Sequence, residues 1–373
     1  MAVTTYEIAG VLRLELRGAD DSTAAYVRGQ CEPYPPLEPD GHPPDVVVDA
    51  AGAAGSARLV DVQGSAGDGL VTATDGSRLY VLDGGRACAM PVAPAEVPAT
   101  FVAETGFPLR RIFGRLVRPV LQLGLLRHGA VAVHAASVEL DGGAVLLAGW
   151  SESGKTETAL AFAEGGARFL SDKWTVVRAD AMAAAFPMRV GVRRWTLQYL
   201  PRLGAALPVG ARAQLAVGRL GAAAVDALRL IPAARAPLGV LDHAVELAGR
   251  VALPPRAVRE VYGDGADRWT APLRALVLLT TVPGSDVSAA PADAQWVARR
   301  LARTAAFERR DLAGLYGRRR YALADYEPNP VEAGLLQEET LLVERLAAVP
   351  LLDVRAPFPV DPRRVADAVA RCL

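Results

Sequence analysis

One glycine-rich segment has the residue types and the spacing that bind the phosphates of a nucleotide. Residues 149–156 read Gly-Trp-Ser-Glu-Ser-Gly-Lys-Thr and fit the pattern G-x-x-x-x-G-K-[ST] at every fixed position. The apolar run Ala144–Ala148 precedes the segment, and a helix pattern begins at Lys155. This strand–loop–helix order is the context in which the pattern binds phosphate. An ordinary Gly/Ser turn before a helix is therefore the weaker interpretation.

Each part of this segment has a chemical task in phosphate binding. Gly149 and Gly154 let the backbone pass close to phosphate oxygens, and the amides from Ser151 to Thr156 would point inward at the start of a helix. The Lys155 ammonium would lie between the β- and γ-phosphates, and the Thr156 hydroxyl would ligate Mg²⁺. The predicted nucleotide-binding residues are Gly149, Ser151, Glu152, Ser153, Gly154, Lys155, Thr156 and Glu157.

Two residues on neighbouring elements are further candidates for the chemistry. Asp172 follows the strand-like run Arg168–Ser171. Its carboxylate could hold Mg²⁺ or take a proton from an attacking hydroxyl, and the alternative is a capping role in a turn. His134 lies in the small-residue run Val-His-Ala-Ala-Ser. From this pattern alone, a satisfied core histidine is the more common outcome.

The distribution of lysine singles out the same region. Only two of the 41 basic residues are lysines, Lys155 and Lys173. A chain that uses arginine for nearly every cation is expected to keep lysine where a compact ammonium is needed and a planar guanidinium does not serve. We therefore predict that Lys173 is also a site residue. The alternative is a lysine that points to solvent.

Strand and helix patterns alternate around these candidates, which predicts an α/β core. The β-type runs Ala130–Leu140 and Ala144–Ala148 flank an Asp-Gly-Gly turn and should form a hairpin. The helix that begins at Lys155 should end near Glu164. The other predicted elements are an extended run at Trp174–Arg178, a core strand over 272–282, helices over Gln295–Ala313 and Leu341–Ala348, a strand over Leu351–Val354 and a closing helix from Pro362.

We expect two domains. Residues 1–105 form a β-rich N-terminal lobe without a chemical motif. Residues 106–373 form the domain that carries the glycine-rich segment, with an Ala/Arg-rich helical section at about 183–270. Within that section, Val192–Leu203 and Gly210–Ala227 have helical patterns.

An amphipathic helix is predicted over Pro108–Leu126, and Pro119 is expected to kink or divide it. Its arginines are expected to form a solvated face, with phosphate binding as the alternative. They are Arg110, Arg111, Arg115 and Arg118.

The segment Val133–Val177 resembles the kinase core of the HPr kinase/phosphorylase family and its wider relatives. That family has a strand with His before small residues, a P-loop of the type Gly-x-Ser-Gly-x-Gly-Lys-Ser-Glu, a helix, and then a strand that ends in two Asp. The resemblance implies the fold of the phosphoenolpyruvate carboxykinases, with the P-loop on a twisted mixed sheet. It also implies phosphoryl transfer from a nucleotide such as ATP to a serine-type hydroxyl, with Mg²⁺.

The resemblance implies a role for each matching residue. These roles are phosphate binding for Lys155, metal binding for Thr156, Glu157 and Asp172, general-base chemistry for Asp172 and an active-site position for His134.

Two departures from the family pattern bear on the substrate. Lys173 stands where the family has its second Asp, and the signature for recognising HPr is not visible in residues 240–330. We therefore expect the acceptor to be a peptide or a small biosynthetic intermediate, as in divergent relatives that phosphorylate ribosomally made peptides. Two alternatives stay open: a protein that binds ATP without transferring phosphate, and a carboxykinase-type small-molecule enzyme.

Composition and charge argue against other classes of protein. The 373 residues carry 41 basic and 41 acidic side chains, so no basic field for nucleic acid is expected. No apolar run reaches the ~18 residues of a membrane span, and the N-terminal residues lack a signal-peptide pattern. The three scattered cysteines predict thiols in a reducing cytoplasm. Homo-oligomer formation is left open.

Overall fold

The structure is a computed structural model that describes residues 2–373, except 39, 53–60, 65–68, 70, 94–95, 230–248, 264–266 and 324–329. Its described part is mixed α/β and contains two nine-stranded sheets and one two-stranded sheet. Strands in each large sheet run both parallel and antiparallel. This agrees with the α/β class predicted from the sequence.

The first large sheet is formed by strands from the N-terminal part of the chain. Its order is β3-β1-β2-β4-β9-β8-β7-β6-β5. Alternate residues of β2 (Leu12, Leu14 and Leu16) are buried, as expected for a strand with one face on a core. The strands are β1 (Val3–Ile8), β2 (Leu12–Arg17), β3 (Pro36–Leu37), β4 (Val46–Asp49), β5 (Asp61–Gln63), β6 (Val71–Thr74), β7 (Leu79–Asp83), β8 (Arg86–Ala89) and β9 (Ala99–Ala103).

The second large sheet carries the glycine-rich segment. Three of its strands, β12, β18 and β20, lie side by side and parallel, so their carboxyl ends meet at one edge. The strands are β10 (Val131–Val133), β11 (Ala135–Leu140), β12 (Gly143–Gly149), β13 (Arg168–Ser171), β14 (Thr175–Val177), β15 (Met182–Ala185), β18 (Thr270–Thr281), β19 (Ser288–Pro291) and β20 (Leu351–Ala356). The separate pair is β16 (Val190–Arg193) and β17 (Arg250–Leu253).

The predicted hairpin before the glycine-rich segment is confirmed. β11 and β12 pair antiparallel, and Asp141 and Gly142 between them have φ of 49° and 79°. Two successive residues with positive φ are typical of the two-residue turns that match the twist of a hairpin. The strands predicted over Arg168–Ser171, 272–282 and Leu351–Val354 are likewise present as β13, β18 and β20.

Eleven α-helices occur in the described residues. They are α1 (Asp21–Gln30), α2 (Leu109–Ile112), α3 (Arg118–Leu126), α4 (Lys155–Glu164), α5 (Pro201–Ala206), α6 (Val209–Arg229), α7 (Pro255–Val261), α8 (Ala294–Glu308), α9 (Arg310–Leu323), α10 (Pro330–Leu346) and α11 (Pro362–Ala370). Within this part of the chain, no helix combines the length and apolar character needed to cross a membrane.

The helix predicted over Pro108–Leu126 is divided, as its proline suggested. A π-helical turn at Phe113–Val117 separates α2 from α3, in which Pro119 occupies the first turn. Pro119 has no N–H to donate to the carbonyl of Arg115, so a regular α-helical bond is missing at this point. The expectation of one solvated arginine face is wrong in part. Arg110 and Arg111 are exposed, whereas Arg115 and Arg118 are half-buried.

The section around 183–270 is not uniformly helical, and the prediction of a helix over Val192–Leu203 is wrong at its start, where Val192 and Arg193 belong to a strand. Val190 and Val192 alternate with a glycine and an arginine, and both valines are buried in the strand β16. A short 3₁₀ helix and α5 follow, and Pro201 at the start of α5 separates the two. The second predicted helix, Gly210–Ala227, lies within α6. Residues 230–248 of this section lie outside the described residues.

The two large sheets share one hydrophobic core. Helix α3 is buried along its length from Pro119 to Leu126 and packs against β2, β4 and β10. In β12, Leu146 and Ala148 face this core, whereas Val145 and Leu147 face a second core beneath α4 and α11. A strand buried on both faces explains why residues 144–148 are a continuous apolar run rather than an alternating one.

The three cysteines have no disulfide partner. Cys31 and Cys88 are buried, and burial raises the pKa of each thiol to about 12. Cys372 is exposed. The buried thiols therefore behave as small apolar groups in the core.

A buried ion pair joins the α8–α9 junction to α10 and α3. The guanidinium of Arg309, between α8 and α9, donates two hydrogen bonds of 2.8 Å to Glu338 of α10 and one of 2.8 Å to Gln122 of α3. The side chains of Arg309 and Glu338 are 2% and 0% exposed. Two parallel charge-assisted bonds satisfy both charges away from water, which compensates for their desolvation.

We predict that Glu338→Ala lowers the free energy of unfolding by about 3–5 kcal/mol, because it leaves the Arg309 guanidinium buried without a counter-charge. Urea unfolding followed by circular dichroism measures the change. Glu339→Ala is the matched control, since Glu339 is 25% exposed and lies 3.5 Å from Arg299 and 3.9 Å from Arg303, both of which are exposed. A loss below ~1 kcal/mol for Glu338→Ala, equal to that of the control, would contradict the assignment.

Candidate functional site

The candidate residues meet at the edge of the second sheet where β12 ends. The glycine-rich loop (Gly149–Thr156) connects β12 to α4, and Asp172 directly follows β13. His134 lies between β10 and β11, at the end of β11 that pairs with Ala148. These elements enclose an open cleft of about 550 Å³, the central cleft. It is lined by His134, Ser151, Glu152, Gly154, Lys155, Thr156, Glu157, Asp172, Lys173, Gly191, Arg193 and Arg250.

Both glycines of the loop are required by its geometry. Gly149 has φ 149°, and a Cβ there would lie 2.6 Å from the carbonyl oxygen of Leu279 and from Ser153 Oγ. Gly154 has φ 87° and begins α4 in the left-handed region. A side chain at either position would strain the backbone or collide with it. The path of the loop brings its backbone against the first turn of α4, where unpaired N–H groups favour an anion.

Lys155 lies under this loop with its ammonium held by backbone. Nζ donates to the carbonyl oxygens of Gly149 at 3.1 Å and Trp150 at 2.5 Å. The residue is only 7% exposed, and burial lowers the pKa of its ammonium to about 8. The carboxylates of Glu308, Asp172 and Glu157 act in the opposite direction. A poorly hydrated cation at the wall of a cleft is suited to hold a multiply charged anion.

Asp172 is fixed from two sides. Its Oδ1 accepts a hydrogen bond of 2.5 Å from the hydroxyl of Thr156, and its Oδ2 accepts one of 2.9 Å from the amide of Gly191. Asp172 is 3% exposed. The pair joins the first turn of α4 to the end of β13. It therefore places one hydroxyl and one carboxylate next to each other beside Lys155.

Two further acids, Glu152 of the glycine-rich loop and Glu157 of the first turn of α4, lie near one arginine. Glu157 is 8% exposed, and burial raises the pKa of its carboxyl. Arg193 at the end of β16 lies 3.9 Å from Glu157 Oε1 and donates a 2.6 Å hydrogen bond to Glu152. Glu152 is exposed and has φ 65°. Ser153 lies away from the central cleft and lines an apolar slot formed with Trp195 and Phe358.

His134 is buried in the wall of the central cleft. It is 1% exposed, and its ring lies 5.0 Å from the indole of Trp174. Burial, together with the ammonium groups of Lys155 and Lys173, lowers the pKa of the imidazole to about 2. The ring is therefore neutral at physiological pH. A neutral imidazole has one N–H donor and one acceptor nitrogen, so it can orient a neighbouring group by hydrogen bonding.

Lys173 occupies a tight and strained turn. The amide of Trp174 donates to the carbonyl of Asp172 at 2.6 Å, and Lys173 between them has φ 59°. A non-glycine residue in this region costs about 1–3 kcal/mol, and such residues are concentrated at functional sites. The Lys173 ammonium lies 2.8 Å from Glu308 Oε2 at the end of α8. The turn therefore positions Lys173 in the lining of the central cleft.

Four residues of this region were missed by the sequence patterns. Arg193, Gly191 and Arg250 belong to the pair β16–β17, in a section that was predicted to be helical. Glu308 lies at the end of a helix that was predicted to continue to Ala313, within the charged run Glu-Arg-Arg-Asp. No local motif marks these residues, because they reach the site from elements distant in sequence.

Three residues of the central cleft carry oxygen donors for a divalent cation. Thr156, Asp172 and Glu157 offer one hydroxyl and two carboxylates, which are oxygen donors of the kind Mg²⁺ prefers. In the described part of the chain, no three His, Cys, Asp or Glu side chains gather into a metal site of their own. The protein therefore supplies part of a coordination shell.

No protein-family model matches the chain, and no curated protein matches it.

We predict that the ammonium of Lys155 titrates near pH 8 instead of near 10.5, because burial disfavours its charged form. Unfolding then becomes less favourable as pH rises from about 8 to 10.5, since the unfolded chain binds more protons in this range. With ¹³C-labelled lysine, Lys173→Arg leaves one lysine signal whose shift reports the titration directly. A midpoint at the ordinary value would contradict the buried position.

Proposed function

We propose that this chain is a Mg²⁺–ATP-dependent kinase that transfers a phosphoryl group to a serine-type hydroxyl of a peptide or a small biosynthetic intermediate. The observation that carries the proposal is the placement of Lys155, Thr156 and Asp172. A glycine-rich loop presents the buried ammonium to the cleft, and the hydroxyl–carboxylate pair lies beside it. Phosphoryl transfer requires chiefly positioning and neutralisation of charge, and this set offers both.

We further propose the fold of the phosphoenolpyruvate carboxykinase and HPr-kinase-like proteins for residues 106–373. The resemblance over Val133–Val177 is the basis. The strand–loop–helix unit at the carboxyl end of β12, within a mixed sheet, supports it. The chain would act in a reducing cytoplasm, and a nucleotide would be its first ligand.

Nucleotide binding is assigned to the glycine-rich loop. Phosphate oxygens would accept from the loop amides and from Lys155, whose ammonium now donates to backbone carbonyls of the same loop. Arg193 and Arg250 also line the central cleft and add positive charge. Their guanidinium groups suit phosphate oxygens because they donate in a planar fork.

The donor set fits Mg²⁺ in the presence of a nucleotide. Thr156 and Asp172 would hold the ion with Glu157 nearby, and phosphate oxygens and water would complete its shell. When bound, Mg²⁺ supplies charge neutralisation at the transferring phosphoryl group. The hydrogen bond from Gly191 holds the Asp172 carboxylate in place for this task.

Asp172 is also the proposed base for the acceptor. The acceptor hydroxyl would give its proton to Asp172 while its oxygen bonds to the γ-phosphorus, and the bond from that phosphorus to the β–γ bridging oxygen breaks. The products are ADP and a phosphate monoester. His134 is the weaker candidate for the base, because burial lowers the pKa of its imidazole and so weakens its proton affinity. Lys173 would neutralise charge on the transferring group or on the acceptor.

A protein that binds ATP without transferring phosphate is the second candidate. It is favoured by Lys173, a cation where the resembling family has an acid, and by the ion pair of Lys173 with Glu308. The buried and doubly held carboxylate of Asp172 favours the kinase instead, because a positioned base serves transfer and not binding alone.

We predict that Lys155→Ala weakens ATP–Mg²⁺ binding by roughly tenfold or more and abolishes transfer, because the loop loses its buried cation. Isothermal titration calorimetry measures the affinity, and Arg303→Ala is a control for loss of an exposed cation outside the cleft. An unchanged affinity and normal turnover in Lys155→Ala would show that the loop does not bind phosphate.

We predict that Asp172→Asn retains ATP–Mg²⁺ binding within a few-fold but lowers transfer by about 10²-fold, the usual scale for loss of a positioned base. Labelled ATP and candidate serine peptides give the transfer rate, and calorimetry gives the affinity. Transfer at the parental rate in Asp172→Asn would show that Asp172 has only a structural role in its turn. If the parental protein binds ATP but transfers to no acceptor, the binding-only candidate replaces the kinase.

A further inference from the structure

A second cleft lies directly beside the central cleft. Its volume is about 570 Å³, and it is lined by Arg115, Arg118, Gln122, Trp174 and Arg310 among others. Lys173 belongs to the lining of both clefts. The two clefts therefore meet at the turn that carries Asp172 and Lys173.

The second cleft has more positive than negative side chains. Arg115, Arg118, Lys173 and Arg310 are its cations, and Glu308 and Asp311 are its acids. Each acid is engaged by one cation, since Lys173 lies 2.8 Å from Glu308 and Arg115 lies 2.6 Å from Asp311. Arg118 and Arg310 are left as the excess positive charge of this surface.

Arg118 is the most unusual of these groups. Its Nη2 donates to the neutral side chain of Gln30 at 2.9 Å, and its Nε is buried without a hydrogen-bond partner in the described part of the chain. A guanidinium that is partly removed from water and has no carboxylate partner is costly. An anionic ligand in the second cleft would supply the missing counter-charge.

The backbone beneath Arg118 is also irregular. The π-helical turn at Phe113–Val117 ends immediately before it and contains Gly114 and Arg115 of the cleft wall. A π turn adds a residue to the helix and shifts the direction of the side chains that follow, and such turns often occur at functional sites. Arg310 faces the same space from α9, where its guanidinium lies 4.3 Å above the ring of Phe307.

We propose that the second cleft binds the phosphoryl acceptor, and that the acceptor carries a carboxylate or phosphate group held by Arg118 and Arg310. The inference rests on the proposed kinase function. An acceptor anchored there would extend its hydroxyl past Lys173 toward Asp172. Arginine suits this task because its planar fork matches the oxygens of a carboxylate or a phosphate.

Binding of two matched pairs of probes tests the proposal without any nucleotide. One pair is N-acetylserine and N-acetylserine amide, which differ in a carboxylate; the other is glycerol 3-phosphate and glycerol. Calorimetry is carried out on the parental protein and on Lys155→Ala, so that binding of phosphate at the glycine-rich loop is recognised. The pair that binds tells whether the cleft selects a carboxylate or a phosphate.

We expect at least one charged probe to bind roughly tenfold or more tightly than its neutral partner, also in Lys155→Ala. Arg118→Gln and Arg310→Gln should each weaken that probe by about tenfold. Arg310 is exposed, so its variant tests the cleft even if Arg118→Gln fails to fold. Arg111→Gln is the matched control from α2, since Arg111 is 61% exposed and pairs with Asp83.

Three results would overturn the proposal. They are equal binding of charged and neutral probes, no binding of any probe, and binding of a charged probe that is unchanged in both arginine variants. Failure of the proposed acceptor site can be distinguished from failure of the proposed kinase function. If the anions bind to the cleft and ATP does not bind to the loop, the kinase proposal fails. If ATP binds and its γ-phosphoryl group is transferred to an acceptor while the anions fail these tests, only the assignment of the second cleft fails.

Discussion

The hydrogen-bonded ion pair of Arg309 and Glu338 is the constraint on which the wall of the site depends. It ties the α8–α9 junction to α10 and, through Gln122, to α3. Glu308 is the neighbour of Arg309, so the pair also fixes the acid that faces Lys173. Charges buried at this depth tolerate few alternative arrangements, because any shift leaves one of them without its partner.

A second constraint acts at the edge of the sheet. Parallel strands β12 and β18 bring the glycine-rich loop against Leu279, where only glycine fits at position 149. On the other side, the strained turn at Lys173 places Asp172 and Lys173 on the same wall. The site is therefore formed between two backbone segments that leave little freedom to the side chains they carry. Such preorganisation reduces the reorganisation that phosphoryl transfer would require.

The charges of the two adjoining clefts differ in character. In the central cleft, Lys155 is accompanied by Glu157 and Asp172, a mixture that suits a nucleotide with a divalent cation. In the second cleft, each acid is engaged by a cation and arginine remains in excess. Lys173 is the element common to both. A compact ammonium at this position lies in the lining of both clefts and pairs with Glu308.

The sequence by itself determined the local features of this protein: the hairpin of β11 and β12, the glycine-rich loop before α4, and the strand that ends at Asp172. These depend on short-range causes, namely glycine at positive φ, continuous apolar runs and turn residues. Tertiary structure alone decided that β16 is a strand, that Arg118 is half-buried rather than solvated, and that Glu308 meets Lys173. These depend on pairing and packing between segments distant in the chain, for which a sequence pattern carries no signal.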